Sequence, residues 1–214
     1  MATVNPSSLA AQLLAAAPPL SEREQHLAIS LYRLLAEGEP VEAGLLADRA
    51  QMTREEIERA LAEWSGIFTD GQNRVIGYIG LSIRPMPHRL RVGGRTLFAW
   101  CALDTLFLPE LLGESVDVES RCPTTAEPIT LTVGGTEVSG VRPAEAVLSY
   151  LHRTEPLDQN LIDTFCHYIH FFANPDVAAD WTARHDGTFT LSLAEGSEIA
   201  RRMNRGRYPS ILCD

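Results

Sequence analysis

The chain has 214 residues, 45% of them hydrophobic, which is enough for one sizeable core or for a core plus a small appended unit. Its 18 positive charges are all arginine and stand against 28 acidic residues, giving a formal net charge of −10. That field repels phosphate and anionic lipid, and no run reaches the roughly 18 apolar residues of a membrane span, so nucleic acid and membranes are poor default partners.

Residues 1–20 read as a loose N-terminal arm, because the apolar stretch from Leu9 to Leu20 lacks a basic flank and is broken by Pro18 and Pro19. A first helix then starts at Ser21, which forms a capping-box signal with Glu24, and Leu27, Leu31, Leu34 and Leu35 continue at helical spacing. Gly38 and Pro40 stop it. A short second helix is expected around Leu45 to Ala50, and Thr53 with Glu56 caps a third that carries Ile57, Ala60, Leu61 and Trp64. Ile67 to Thr69, the turn Asp70-Gly71-Gln72-Asn73 and Val75 to Leu81 read as a hairpin. Three helices and a hairpin outline a winged-helix-like region over 21–83. Its charge argues against DNA binding, since residues 1–66 hold five arginines against ten acidic residues and the third helix sets Arg54 and Arg59 against Glu55, Glu56, Glu58 and Glu63.

Arg84-Pro85-Met86-Pro87 punctuates the chain, and a second, larger unit is expected over 84–214. Leu90 to Val92 and Gly93-Gly94 suggest a hairpin leading into a helix that contains Cys101 and Asp104 and is limited by Pro109 and Gly113. Val116 to Val118, Ile129 to Val133 and Glu137 to Val141 alternate as an antiparallel meander. Leu161 to Phe172 has mixed character and is assigned to a helix, followed by helices over Asp176 to His185 and Glu195 to Asn204. The fold class is therefore α+β, a winged-helix-like region followed by a mixed antiparallel-sheet and helix domain.

The chemistry concentrates in Leu97-Phe98-Ala99-Trp100-Cys101-Ala102-Leu103-Asp104-Thr105-Leu106. A thiol and a carboxylate three residues apart on a helix share one face, which would set a soft metal ligand beside a proton carrier in apolar surroundings. Cys101 taken alone also fits simple packing, as a small hydrophobe among Leu97, Trp100, Leu103 and Leu106. Asp104 fits a cap or an arginine pair, but an unpartnered carboxylate in an apolar stretch costs several kcal/mol. The four cysteines, Cys101, Cys122, Cys166 and Cys213, form no C-x-x-C pair, and with no recognisable signal peptide they point to free thiols in a reducing cytoplasm. Cys166 opens Cys166-His167-Tyr168-Ile169-His170, which invites a zinc reading, yet the spacing is not that of a zinc finger and the histidines fit structural roles. Cys122, in a turn before Pro123, and Cys213, in the terminal tail, receive no primary role. If Cys101 and Cys166 meet through the fold, capture of a soft cation is the sharpest option, ahead of a disulfide or a redox pair.

At these residues the chain resembles organomercurial lyase, the bacterial alkylmercury lyase of mercury resistance. The likeness is carried by Trp100-Cys101-Ala102-Leu103-Asp104-Thr105, by Cys122 ahead of Ile129 to Val133, by Phe165 to Ala173 and by Asp180-Trp181, and it extends to the winged-helix-like region. The resemblance implies that Cys101 and Cys166 are the mercury-binding thiols and Asp104 the proton-handling carboxylate, itself a further possible mercury ligand. Cys122 resembles a structural cysteine, and His167 stands where some members have another thiol. It further implies carbon–mercury protonolysis giving a hydrocarbon and Hg(II), no organic cofactor, external small thiols for turnover and mercuric reductase as acceptor of the product. Phe98, Trp100 and Phe165 are candidate walls for the organic group. The competing readings are a winged-helix metal-responsive regulator or sequestering protein without catalysis, and a zinc-stabilised structural module.

Overall fold

The computed structural model describes residues 5–16, 18–135, 137–152 and 160–212. The segment ahead of Ser21, expected to be a loose arm, contains a helix, α1 (Pro6–Ala15). Asn5 caps it by accepting from the amides of Ser7 and Ser8, Pro6 supplies a preset φ at the first turn, and Leu9, Ala10 and Leu13 are buried. Pro18 and Pro19 end the helix; they do not prevent it. Cys213 lies outside the described residues.

Helices α2 (Glu22–Leu35), α3 (Ala43–Ala50) and α4 (Arg54–Glu63) follow as the periodicity predicts, and the capping boxes at Ser21 and Thr53 both form. Strands β1 (Ile67–Thr69) and β2 (Val75–Tyr78) make the hairpin. The chain continues through β3 (Leu81–Ser82), β4 (His88–Val92), β5 (Arg95–Ala99), α5 (Asp104–Leu112), β6 (Val116–Arg121), β7 (Pro128–Gly134) and β8 (Glu137–Arg142). These eight strands form one antiparallel sheet in the order β1-β2-β3-β5-β4-β6-β7-β8, so the winged-helix hairpin and the later meander share a single hydrogen-bonded surface. Strand β6 shows why the meander was readable: Val116, Val118 and Ser120 are buried while Asp117 and Arg121 face solvent.

The remainder is β9 (Val147–Leu151), α6 (Leu161–Thr164), a 3₁₀ turn at Cys166–Tyr168, β10 (Phe171–Phe172), α7 (Pro175–Thr182), β11 (Thr188–Ser192) and α8 (Leu193–Arg207). A second antiparallel sheet, β10-β9-β11, has two strands, β9 and β11, to which the sequence pattern assigns no element and one, β10, that it places in a helix. The helix expected over Leu161 to Phe172 is instead one helical turn, a 3₁₀ turn and a short strand, because pairing of Phe171 and Phe172 with β9 overrides their helical spacing. Helix α8 packs against α1 and α5, and α2 packs against α5, so α5 lies between the N-terminal helices and the C-terminal one. His88, inward on β4, is fully enclosed: Nδ1 meets Ser120 Oγ at 2.8 Å, and burial drives its pKa down to about 3, so the ring stays neutral.

Candidate active site

Leu97 to Leu106 is uniformly apolar apart from Cys101, Asp104 and Thr105, which leaves periodicity unable to choose between strand and helix. Pairing decides it. Leu97 and Ala99 are strand residues, registered against Leu90 and His88 of β4, so the helix expected to hold both Cys101 and Asp104 begins only at Asp104. Cys101 sits in the connecting turn. The three-residue spacing still joins them, because the Asp104 carboxylate, at the first position of the helix, reaches back into the turn and accepts the Cys101 amide N–H at 2.8 Å.

Cys166 arrives from the 3₁₀ turn, which is held on both sides. Ala102 donates its N–H to the Ile169 carbonyl at 3.1 Å, tying the two cysteine-bearing turns directly together. Ser149 of β9 donates its hydroxyl to the Tyr168 carbonyl at 2.7 Å and accepts the His170 N–H at 2.9 Å. The result is a buried cluster in which one ligand atom each from Cys101, Asp104 and Cys166 lies within 4.8 Å of the others. Both cysteines are free, as is Cys122, which is buried elsewhere and does not join the cluster; neither do His167 and His170.

Burial sets the electrostatics. Asp104 is 6% exposed, and desolvation raises its pKa to about 7 against the opposing hydrogen bonds from Cys101. The partial positive charge of the α5 N-terminus favours the carboxylate, yet the desolvation cost prevails. Burial likewise pushes the Cys101 thiol well up, reinforced by its hydrogen bond with Cys166. For Cys166 the hydrogen bond with Cys101 favours the thiolate, but burial and the Asp104 charge outweigh it and the thiol lies above the ordinary range. Both sulfurs therefore rest as thiols beside an acid whose pKa is raised into the neutral range.

A cavity of about 100 Å³ opens on this cluster, lined mainly by apolar side chains including Leu13 and Leu14 of α1, Phe107, Phe165 and Met203, together with Asp104 and Cys166. Of the three aromatic residues proposed from sequence, Phe165 lines it. Trp100 instead meets Phe68 edge-on, with ring centroids 5.0 Å apart, in a neighbouring depression. Phe98 is on the opposite side of β5 from the buried Leu97 and Ala99 and belongs to no part of the wall.

Sequence reasoning also missed Gly80. Its φ of +81° suits glycine, and a Cβ there would stand 2.8 Å from Asp104 Cγ and 2.9 Å from Phe107 Cζ, so the bare backbone makes the space that the carboxylate occupies. The Gly80 carbonyl accepts the Trp100 N–H at 3.0 Å, fixing the same wall. Gly80→Ala is expected to displace the Asp104 carboxylate and, if that group takes part in the reaction, to cut turnover on the order of 10²-fold. The pH–rate profile should shift with it, and unchanged turnover with an unchanged profile would show that the carboxylate needs no such space.

A buried dithiol beside a carboxyl group, walled by an apolar cavity on an α+β frame, is a donor set suited to a soft cation. A family model described as alkylmercury lyase matches residues 81–205, and one described as the helix-turn-helix domain of alkylmercury lyase matches residues 7–79. The chain is 40% identical over 174 residues to the alkylmercury lyase of Bacillus cereus, covering 81% of this chain and 78% of that protein. It is 37% identical over 178 residues to the Staphylococcus epidermidis enzyme, covering 83% and 81%. Among solved structures, the mercury-bound form of MerB2 superposes with a TM-score of 0.72 at 26% identity, covering 94% of this chain and 98% of that one. The chain belongs to the alkylmercury lyase family, which makes it an enzyme of carbon–mercury bond cleavage.

Proposed function

We propose that this chain cleaves organomercurials by protonolysis, with Cys101 and Cys166 as the mercury ligands and Asp104 as the proton carrier. The observation that carries the reading is the buried cluster in which the two sulfurs and the carboxylate lie within 4.8 Å of one another. A carbon–mercury bond resists acid in water because the metal releases too little electron density to carbon. Two soft sulfur donors supply that density.

One thiol takes the R–Hg⁺ cation and gives its proton to Asp104, whose pKa of about 7 lets it accept and later donate without a large penalty in either direction. As the second thiol adds to mercury, protonated Asp104 delivers its proton to carbon, the carbon–mercury bond breaks, and the hydrocarbon RH leaves. Overall, R–Hg⁺ and two thiols give RH, a dithiolate-bound Hg(II) and one released proton. The apolar cavity receives R and keeps water from the reacting atoms. At about 100 Å³ it suits a small alkyl group, since an apolar cavity of roughly 150 Å³ holds benzene. Small thiols then withdraw Hg(II) for mercuric reductase, which places the chain in a cytoplasmic detoxification route.

A regulator or sequestering protein would share the dithiol but has no use for a buried carboxyl group with a raised pKa beside it. A structural zinc site favours four closed ligands, whereas the cluster among the described residues has three. The winged-helix-like region serves as a wall and not as a DNA reader: Arg54 is paired with Glu58 and Arg23 with Glu56. Among the described residues no helix is long and apolar enough to cross a membrane. The decisive assay gives purified protein methylmercury with excess small thiol and measures methane by gas chromatography. One methane per mercury consumed is expected; mercury uptake without hydrocarbon would overturn the lyase mechanism in favour of sequestration.

A further inference from the structure

The cavity at Asp104 and Cys166, the inner one, has a neighbour that none of Cys101, Asp104 and Cys166 lines and that is therefore the outer one with respect to the site. A second cavity of about 280 Å³ is lined by Pro18, Pro19, Glu24, Glu63, Trp64 and Arg207 among others, and shares Ile79, Leu161 and Arg207 with the inner one. The two spaces therefore meet at one wall. Their chemistry differs, since the inner is walled mostly by hydrocarbon while the outer adds two carboxylates and Ser65 to the shared guanidinium.

Arg207 is the only cation that lines either space among the described residues. Its position is held from two sides: it donates to the Pro18 carbonyl and hydrogen bonds with the Tyr208 hydroxyl. A guanidinium has five N–H donors, so these contacts leave several for another acceptor. Glu24 lies within electrostatic range, but its carboxylate is held by the Ser21 amide and hydroxyl and by the Trp64 side chain, and it makes no ion pair with Arg207 among the described residues. Arg207 makes no ion pair among the described residues and is the one positive group on the wall the two cavities share, so it is the group there that can receive an anion.

The reaction states which anion has business there. Organomercury cations in solution travel bound to thiolates, and the product can leave the two cysteines only by exchange onto other sulfurs. Loading is R–Hg–SR′ plus Cys-SH giving R–Hg–S-Cys plus R′SH. Unloading is the dithiolate mercury complex plus two R′SH giving Hg(SR′)₂ and both cysteine thiols. Bonds and protons balance in both steps, and both need R′ in the outer space while sulfur reaches the inner one.

We infer that the outer cavity is the binding site for the thiol carrier and that Arg207 recognises a carboxylate on it, so that the preferred carrier is a low-molecular-weight thiol bearing a carboxylate. This rests on the lyase reading. Charge-assisted recognition of a carboxylate by arginine is directional and about twice as strong as a neutral hydrogen bond. Glu63 and Glu24 on the same wall suit a carrier that also bears an ammonium group.

The test compares full-length wild type with Arg207→Gln and Arg207→Lys on two preformed adducts, methylmercury–thioglycolate and methylmercury–2-mercaptoethanol. Methane gives kcat and KM for each. Wild type is expected to show the lower KM for the carboxylated adduct. Arg207→Gln should raise the thioglycolate-to-mercaptoethanol KM ratio about tenfold or more, the size of one lost charged hydrogen bond. Arg207→Lys should restore part of it. An unchanged ratio in Arg207→Gln, or an equal KM rise for both adducts, would overturn carrier recognition while methane production kept the lyase reading intact. No methane from either adduct in wild type would overturn both.

Discussion

Asp104→Asn is expected to keep mercury on the protein, lose about 10²–10⁴-fold in turnover, and melt at a higher temperature than wild type at pH 8. The first two effects follow from the proposed proton transfer: asparagine can still accept the Cys101 N–H, so the turn holds, but it carries no transferable proton. The third follows from linkage. The folded carboxyl titrates at about 7 and an unfolded one near 3.8, so across that window the folded state holds a proton that the unfolded state has lost. Stability contributed by this group therefore falls as pH rises from about 4 to about 7. Below the window both states are protonated and the contribution vanishes; above it the whole cost of burying the charge is present, on the order of 4 kcal/mol. Asparagine has no charge to bury, so the variant should gain on wild type progressively from pH 4.5 to pH 8. Melting curves at the two pH values, run beside the methane assay, separate the claims. Equal melting at pH 8 would remove the burial cost, and unchanged turnover would remove the proton role.

How much of this was visible in the sequence depended on whether a signal was local. The capping boxes at Ser21 and Thr53 and the alternation along β6 and β7 are encoded within a few residues, and each formed as read. Asp104 stood out because a carboxylate inside Leu97 to Leu106 has no cheap explanation, and it is indeed enclosed. The geometry that joins it to Cys101 was misread as one helix, because strand pairing of Leu97 and Ala99 is a long-range fact that no window contains. The meeting of Cys101 with Cys166 came from family resemblance, since the bond between Ala102 and Ile169 that aligns their turns crosses 67 residues. Gly80 and Arg207 were invisible for the same reason. One matters through a missing side chain and the other through the junction of two cavities, and neither leaves a pattern in its own neighbourhood.

Cys101→Ser and Cys166→Ser are each expected to reduce methane formation below about one part in 10³ of wild type, and to differ in what they trap. A serine hydroxyl preserves size and hydrogen bonding but is a hard, poorly ionised donor, so mercury would keep a single sulfur and the carbon–mercury bond its resistance to acid. Two thiolates on one chain also hold Hg(II) by effective concentration, so wild type should retain the product against a monothiol that strips it from either variant, at about 10²–10⁴-fold lower thiol concentration. The difference between the variants comes from access. Cys166 lines the inner cavity, whereas Cys101 lies behind it, 1% exposed and outside that wall. On the proposed mechanism an entering organomercurial therefore meets Cys166 first. Cys101→Ser should accumulate an intact methylmercury adduct on Cys166, visible by native mass spectrometry, while Cys166→Ser should form its adduct on Cys101 far more slowly. Full turnover in either variant would sink the two-sulfur mechanism, and equal adduct rates would sink the order of capture. On the proposed mechanism Cys166 takes the metal, Cys101 completes the pair, and Asp104, buried beside them at a pKa of about 7, accepts the first proton and gives it up in the last step.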